Sequence, residues 1–284
     1  MTEPVRRQIN REGGAMSYLE WGNTHPALHF AHATGFNAET YCQLLAPLSA
    51  RLHILASDSR GHGFSTLPES TAQLKGWTVY RDDLGALLNA VHPGPLILAG
   101  HSKGAIISMM LAAQFPARVR ALVLLEPVLV PEHRPSVLPA DAPPSLAVRA
   151  ARRRAVFPSA DAAFESYRGR GAFTTWPEAM LRDYLKGGLI RTGNGDEVRL
   201  ACAPAWESQS FDSTPTGAAK LAAKLRCPLT VLHASDGTAG AAQVAELLKA
   251  KPDARLVHVP GATHFLPMEH PELVREEILR IAHA

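Results

Sequence analysis

The stretch Leu96-Ile97-Leu98-Ala99-Gly100-His101-Ser102-Lys103-Gly104-Ala105-Ile106-Ile107 decides how the rest of this chain is read. Its first four residues form a continuous apolar run, the pattern of a strand covered on both faces. From Ala105 to Met110 the sequence reads as a helix, so Ser102 sits on a tight strand-to-helix turn. Gly100 and Gly104, two residues before and after the serine, let strand and helix pack closely around a strained turn that pushes the hydroxyl outward. A helix starting after Ser102 aims its N–H groups and positive dipole end at the same place, which makes the backbone N–H of Lys103 a candidate oxyanion donor. The bare G-x-S-x-G pattern occurs by chance, and a glycine-flanked serine also caps helices. The strand before it and the helix after it favour a nucleophile.

Working outward, two short strands are expected between Val5 and Trp21, followed by apolar runs at 27–31, 52–56, 121–125, 229–232 and 255–259. Helix-length segments at 39–50, 78–91, 105–114, 241–250 and 271–284 separate them. Strand and helix alternate, the signature of an α/β fold with a mostly parallel central sheet flanked by helices. The alternation breaks from about Pro131 to Thr214, where prolines, arginines and aromatics replace strand-like runs and helical patches occur at 160–167 and 177–186. The expectation is a core of residues 1–130 and 215–284, with 131–214 inserted as a helical cap after the sixth strand, where open α/β sheets bind ligands. Phe157, Phe164, Tyr167, Phe173, Trp176, Tyr184 and Trp206 give this segment more aromatic content than a solvated spacer carries.

Near the C-terminus, Gly261-Ala262-Thr263-His264-Phe265-Leu266-Pro267-Met268-Glu269-His270-Pro271 follows the last strand-like run and leads into an amphipathic helix. His264 is the candidate base. His270, beside Pro271, reads as helix entry, and His101 flanks the serine on the wrong side to act as its base.

Together, His32-Ala33-Thr34-Gly35-Phe36, the stretch from Asp58 to Ser65 (DSRGHGFS), the GHSKG turn and the histidine loop resemble the α/β-hydrolase superfamily across nearly the whole chain. The resemblance implies an α/β-hydrolase fold with a helical cap, the order Ser, acid, His, and acyl transfer to water through an acyl-enzyme on Ser102. It also implies a second oxyanion N–H in the turn after the third strand, with Thr34 the best candidate. A serine at the nucleophile position disfavours the branches that work through an aspartyl ester. The Lys103 side chain is a departure from the small or apolar residue often found there. It is expected either near a substrate carboxylate or directed along the helix to solvent.

The acid has two candidates. Many members carry it after the seventh strand, where Asp236 lies, yet the usual position falls on Gly237. Glu126 directly follows the sixth apolar run, where some branches place the acid. It is preferred because a carboxylate there is costly unless a partner such as His264 meets it. An Asx turn is the plain alternative for Asp236.

The function expected is hydrolysis of a carboxylic ester or lactone of a small to medium apolar substrate. Carbon–carbon bond hydrolysis by the same residues and a non-catalytic ligand-binding protein of the same fold are the alternatives. The 284 residues are 46% hydrophobic, with 29 basic against 26 acidic and a formal charge of +3. Scattered charge of this kind implies no nucleic-acid partner, and the Arg152-Arg153-Arg154 run reads as a solvated face. Neither metal-ligand spacing nor a cofactor motif occurs. With three widely spaced cysteines (Cys42, Cys202, Cys227), no signal peptide and no membrane span in the sequence, the expectation is a cytoplasmic monomer or homodimer with no membrane partner.

Overall fold

Apolar runs build the central strands of this chain, whose computed structural model describes residues 3–23, 25–133 and 143–283. Along the chain the strands are β1 (Val5–Arg11), β2 (Gly14–Trp21), β3 (Ala27–Ala31), β4 (His53–Ser57), β5 (Leu96–His101), β6 (Val119–Leu125), β7 (Val156–Phe157), β8 (Leu189–Arg191), β9 (Val198–Leu200), β10 (Leu229–Asp236) and β11 (Arg255–Thr263). The α-helices are α1 (Cys42–Leu45), α2 (Thr78–Val91), α3 (Lys103–Gln114), α4 (Leu146–Ala151), α5 (Ala160–Tyr167), α6 (Glu178–Gly188), α7 (Pro204–Asp212), α8 (Ala241–Ala250), α9 (Leu266–Glu269) and α10 (Pro271–Ala282). Eight strands form the central sheet in the order β1-β2-β4-β3-β5-β6-β10-β11. β2 runs against both neighbours, and every pair from β4 to β11 is parallel, as expected of an α/β-hydrolase fold.

Successive residues of the central strands point to opposite faces of the sheet. Ile97, Ala99, Val123 and Leu125 pack on the side of α1 and α10, with Leu44, Val274 and Ile278. Leu96, Leu98, Leu122 and Leu124 pack on the side of α2, α3 and α8, with Leu88, Ile106 and Leu247. Both faces are covered, which is why these strands read as unbroken apolar runs, and each buried Leu or Ile stabilises by about 1.5–3 kcal/mol.

Two expectations need correction. The single helix over 39–50 is split into 3-10 turns, Glu39–Tyr41 and Ala46–Ala50, around α1, with Pro47, which lacks an N–H, in the second turn. Between β6 and β10 the chain is not purely helical: β7, β9 and β8 form a small antiparallel sheet beside α4 to α7. Its hairpin turns at Thr192-Gly193-Asn194-Gly195-Asp196, where both glycines adopt positive φ (92° and 59°), a turn signal hidden by the three-residue length of the strands. Residues 134–142 of the expected cap, and Ala284 of the expected last helix, lie outside the described residues.

Gly104 sets how closely α3 approaches β3, since a Cβ there would drive into the Ala31 backbone carbonyl. Gly104→Ala is predicted to lower the unfolding free energy by about 3 kcal/mol. Gly94→Ala, whose new methyl would meet only the His92 ring at ordinary contact distance, should stay within about 0.5 kcal/mol of wild type in urea unfolding.

Candidate active site

Among the described residues, two that are not glycine adopt positive φ: Ser102 (φ 56°) and Glu126 (φ 47°). Such backbone costs on the order of 1–3 kcal/mol and persists only where surrounding structure enforces it. The Ser102 N–H donates to the Leu125 carbonyl at 3.0 Å, and the Glu126 N–H to the Leu232 carbonyl at 2.9 Å. The elbow is thereby tied to the end of β6, and the end of β6 to β10.

The Glu126 side chain is fully buried and surrounded by donors. Oε1 accepts from the Ala234 N–H at 2.6 Å and lies 3.1 Å from His233 Nδ1. Oε2 accepts from the Thr238 N–H at 3.1 Å and lies 3.3 Å from His264 Nδ1. Burial pushes this carboxyl up, but hydrogen bonds from His264 and from the Ala234 and Thr238 amides outweigh it and hold the group below its usual value. Space for the carboxylate exists because residue 237 is glycine: a Cβ there would overlap both carboxylate oxygens of Glu126. Asp236 is exposed at the end of β10, paired with Thr263 through the backbone, and its carboxylate makes no hydrogen bond or ion pair among the described residues. The structure therefore brings Glu126, and not Asp236, to His264. Thr238, which sequence reading missed, also touches His264, its Oγ1 lying 3.1 Å from Nδ1.

Opposite, the turn after β3 has most of its N–H groups engaged. That of Ala33 donates to the Tyr41 hydroxyl at 3.2 Å, that of Gly35 to His62 Nε2 at 3.1 Å and that of Phe36 to the Ala33 carbonyl at 3.2 Å. The Thr34 N–H has no acceptor among the described residues, and Thr34 lines the same cavity as Ser102 and His264. Lys103 opens α3, where a backbone N–H lacks an intrahelical acceptor. His62, from the DSRGHGFS stretch, donates from Nδ1 to the Arg60 carbonyl at 2.9 Å. Its Nε2 is thus free to accept from Gly35.

The Lys103 side chain goes neither to solvent nor to the cavity. It is fully buried, with Nζ 4.1 Å from the centre of the Tyr80 ring and no hydrogen-bond partner. Because α3 packs directly on the sheet, its first side chain is enclosed, with Tyr80 of α2 over the amine and Cys202, His32 and His62 close by. Burial pushes its amine down to about 7.

A cavity of about 810 Å³ opens above Ser102 and His264. Its wall is largely apolar, with Phe36, Trp77, Val128, Phe173 and Phe265 among its residues, but three arginines, Arg149, Arg153 and Arg170, also line it, together with Glu207 and Asp212. The arginine run expected as a solvated face is only partly so. Arg152 and Arg154 are exposed, while Arg153 turns inward to Glu207 Oε2 at 2.6 Å and to the Tyr167 and Tyr184 hydroxyls at 3.1 and 2.8 Å. Gly35 packs against this pair, so the turn carrying Thr34 touches the cavity wall. Arg149 and Arg170 are exposed and have no carboxylate partner among the described residues. No group of three or more His, Cys, Asp or Glu among the described residues is placed to hold a metal ion, and no helix there is long and apolar enough to cross a membrane.

A parallel sheet with a strained serine at the strand-to-helix turn and a histidine loop beside it defines the hydrolase class of α/β proteins. The profile of the Alpha/beta hydrolase family matches residues 30–277, and the chain belongs to that family. It is 27% identical over 254 residues to 2-(acetamidomethylene)succinate hydrolase of Mesorhizobium japonicum, covering 89% of this chain and 86% of that protein. A shorter match, 34% identical over 118 residues, covers 40% of this chain and 37% of an esterase of Mycobacterium tuberculosis. The crystal structure of E-2-(acetamidomethylene)succinate hydrolase superposes with a TM-score of 0.79 at 23% identity, covering 99% of this chain and 100% of that one, a likeness of fold. The chain is accordingly a hydrolase of this family.

Lys103 yields a pH-dependent stability. Folded, it binds fewer protons than the unfolded chain between about 7 and the usual 10.5, so stability rises with pH across that window, and the cost of burying the charge is fully present below it. Lys103→Met is predicted to unfold at higher urea than wild type at pH 7, with the gap closing by pH 10. A wild-type urea midpoint that stays flat or falls from pH 7 to 10 contradicts this placement.

Proposed function

We propose that this chain is a serine hydrolase that cleaves the acyl bond of a carboxylic ester or lactone through Ser102, His264 and Glu126, with the backbone N–H groups of Thr34 and Lys103 as oxyanion donors. The observation that carries the proposal is the commitment of His264 Nδ1 to the buried Glu126 carboxylate, which leaves Nε2 for Ser102 on the shared cavity. Nε2 takes the Ser102 proton as Oγ attacks the carbonyl carbon, and the two N–H groups receive the charge on the carbonyl oxygen. As the acyl C–O bond breaks, His264 passes that proton to the leaving alcohol. Water then gives a proton to Nε2 as its oxygen bonds to the acyl carbon, the bond from that carbon to Ser102 Oγ breaks to release the acid, and Oγ takes the proton back from His264.

Burial of Glu126 among donors keeps it ionised, so it orients the imidazole and stabilises its protonated form during the reaction. The apolar wall suits an acyl chain or small ring. Arg149 and Arg170, without carboxylate partners, favour a substrate that also carries an anionic group. A relative of nearly equal length that is named as a hydrolase of a succinate supports the same preference. Hydrolysis of a carbon–carbon bond would call on the same three residues, and product masses separate the two reactions.

On p-nitrophenyl esters, Ser102→Ala is predicted to lower kcat by at least about 10³-fold and Glu126→Gln by about 10²- to 10⁴-fold. Asp236→Asn should remain within about twofold. Wild-type rates in Ser102→Ala, or a loss confined to Asp236→Asn, overturn the assignment. For an ester ending in a carboxylate, Arg170→Ala is predicted to raise KM about tenfold, equivalent to about 1.4 kcal/mol, with KM for a neutral ester of equal length unchanged. Equal effects on both esters remove the anionic preference.

A further inference from the structure

One buried side chain that the reaction scheme leaves unused links the oxyanion turn, through Tyr41, to the histidine loop. His101 ends β5 immediately before Ser102 and is fully buried, as is Tyr41 in the turn before α1. The Ala33 N–H donates to the Tyr41 hydroxyl at 3.2 Å, that hydroxyl lies 2.8 Å from His101 Nδ1, and His101 Nε2 lies 2.8 Å from the His264 carbonyl.

Counting donors fixes every proton in this chain of bonds. The His264 carbonyl can only accept, so the His101 proton is on Nε2. Nδ1 of the neutral ring is then an acceptor, which requires the Tyr41 hydroxyl to donate to it and leaves that oxygen to accept from Ala33. Burial, with the neighbouring His264 adding to it, holds His101 well below the usual histidine range and hence neutral, the form this pattern needs. Neither rotation of the hydroxyl nor a change of tautomer keeps all three bonds.

The chain of bonds starts one residue before Thr34, passes through the residue before Ser102 and ends on the backbone of the residue carrying the base. The geometry points to Tyr41 and His101 as positioning residues for the hydrolysis proposed above: they set the Thr34 N–H and the His264 ring at fixed places relative to Ser102. The inference rests on that serine-hydrolase reading. Packing alone does not call for these polar groups. Tyr41 stands among the rings of Phe30 and Phe36, at 4.5 and 6.5 Å between centroids, where a phenylalanine would fill the same volume.

The test compares Tyr41→Phe, His101→Leu, His101→Gln and the double variant Tyr41→Phe/His101→Leu in the full chain on a p-nitrophenyl ester, with urea unfolding of each. Misplacement of reacting groups by about 1 Å costs on the order of 100-fold. Tyr41→Phe and His101→Leu are therefore expected to lower kcat about 10- to 100-fold with KM within about twofold. The double variant should be no slower than the slower single within about twofold, because both break one chain of bonds. His101→Gln, which keeps an N–H for the His264 carbonyl, should recover part of the rate lost in His101→Leu. If His101→Leu does not fold, Tyr41→Phe, which removes a single oxygen, decides alone. Wild-type kcat in Tyr41→Phe, or losses that multiply in the double variant, overturn the positioning role. If Ser102→Ala is inactive while Tyr41→Phe is normal, only this inference falls; if Ser102→Ala keeps its activity, the serine-hydrolase reading falls and takes the inference with it.

Discussion

The site is organised around one buried carboxylate in the space left by a missing side chain. Glu126 leaves the end of β6 in a strained conformation and fills the volume that any side chain at residue 237 would occupy. An ionised carboxyl without water needs donors on both oxygens, and β10, the loop after it and the histidine loop supply them through Ala234, Thr238 and His264. Several separate features follow from this. β6 and β10 must be neighbours, residue 237 must lack a side chain, and the His264 ring is held by its Nδ1 edge.

The same economy governs the opposite side of the cavity. Amides of the turn after β3 are taken up by Tyr41 and by His62, both anchored in the core. Gly35 in that turn abuts the Arg153–Glu207 pair, so elements between β6 and β10 press on the turn as well as form the cavity wall. The partly buried ion pair acts mainly by fixing geometry, since desolvation offsets much of its attraction. Aromatic edges from Phe36, Trp176, Tyr184 and Phe265 pack against one another across this junction.

Features encoded by neighbours in sequence are legible from the sequence alone. The parallel strands announced themselves as unbroken apolar runs because both faces of the sheet are covered. Ser102 stood out because strand, glycines and helix lie within a dozen residues. Where a residue's setting depends on chain segments far apart, sequence was less informative. Local sequence does not separate Glu126 from Asp236, since their distances to His264 depend on how two loops meet. Arg153 looked like part of a solvated run because its partners, Glu207 and Tyr184, lie tens of residues away. The burial of Lys103 is not legible in the sequence, because no local signal reports how tightly α3 is enclosed. The hairpin of β8 and β9 was missed for its brevity, although its glycines were in view.

The Glu126 carboxylate occupies the volume at residue 237, so a carboxylate rooted there, after β10, should be able to replace one reaching in from β6. The most direct test is kcat for Glu126→Gly and for Glu126→Gly combined with Gly237→Asp, measured on the same ester. Glycine at 126 suits the positive φ there and removes the carboxylate. The account predicts that the single variant loses at least about 10²-fold in kcat and that the added aspartate restores about tenfold or more by engaging His264 Nδ1. A folded Glu126→Gly protein with wild-type kcat would contradict it.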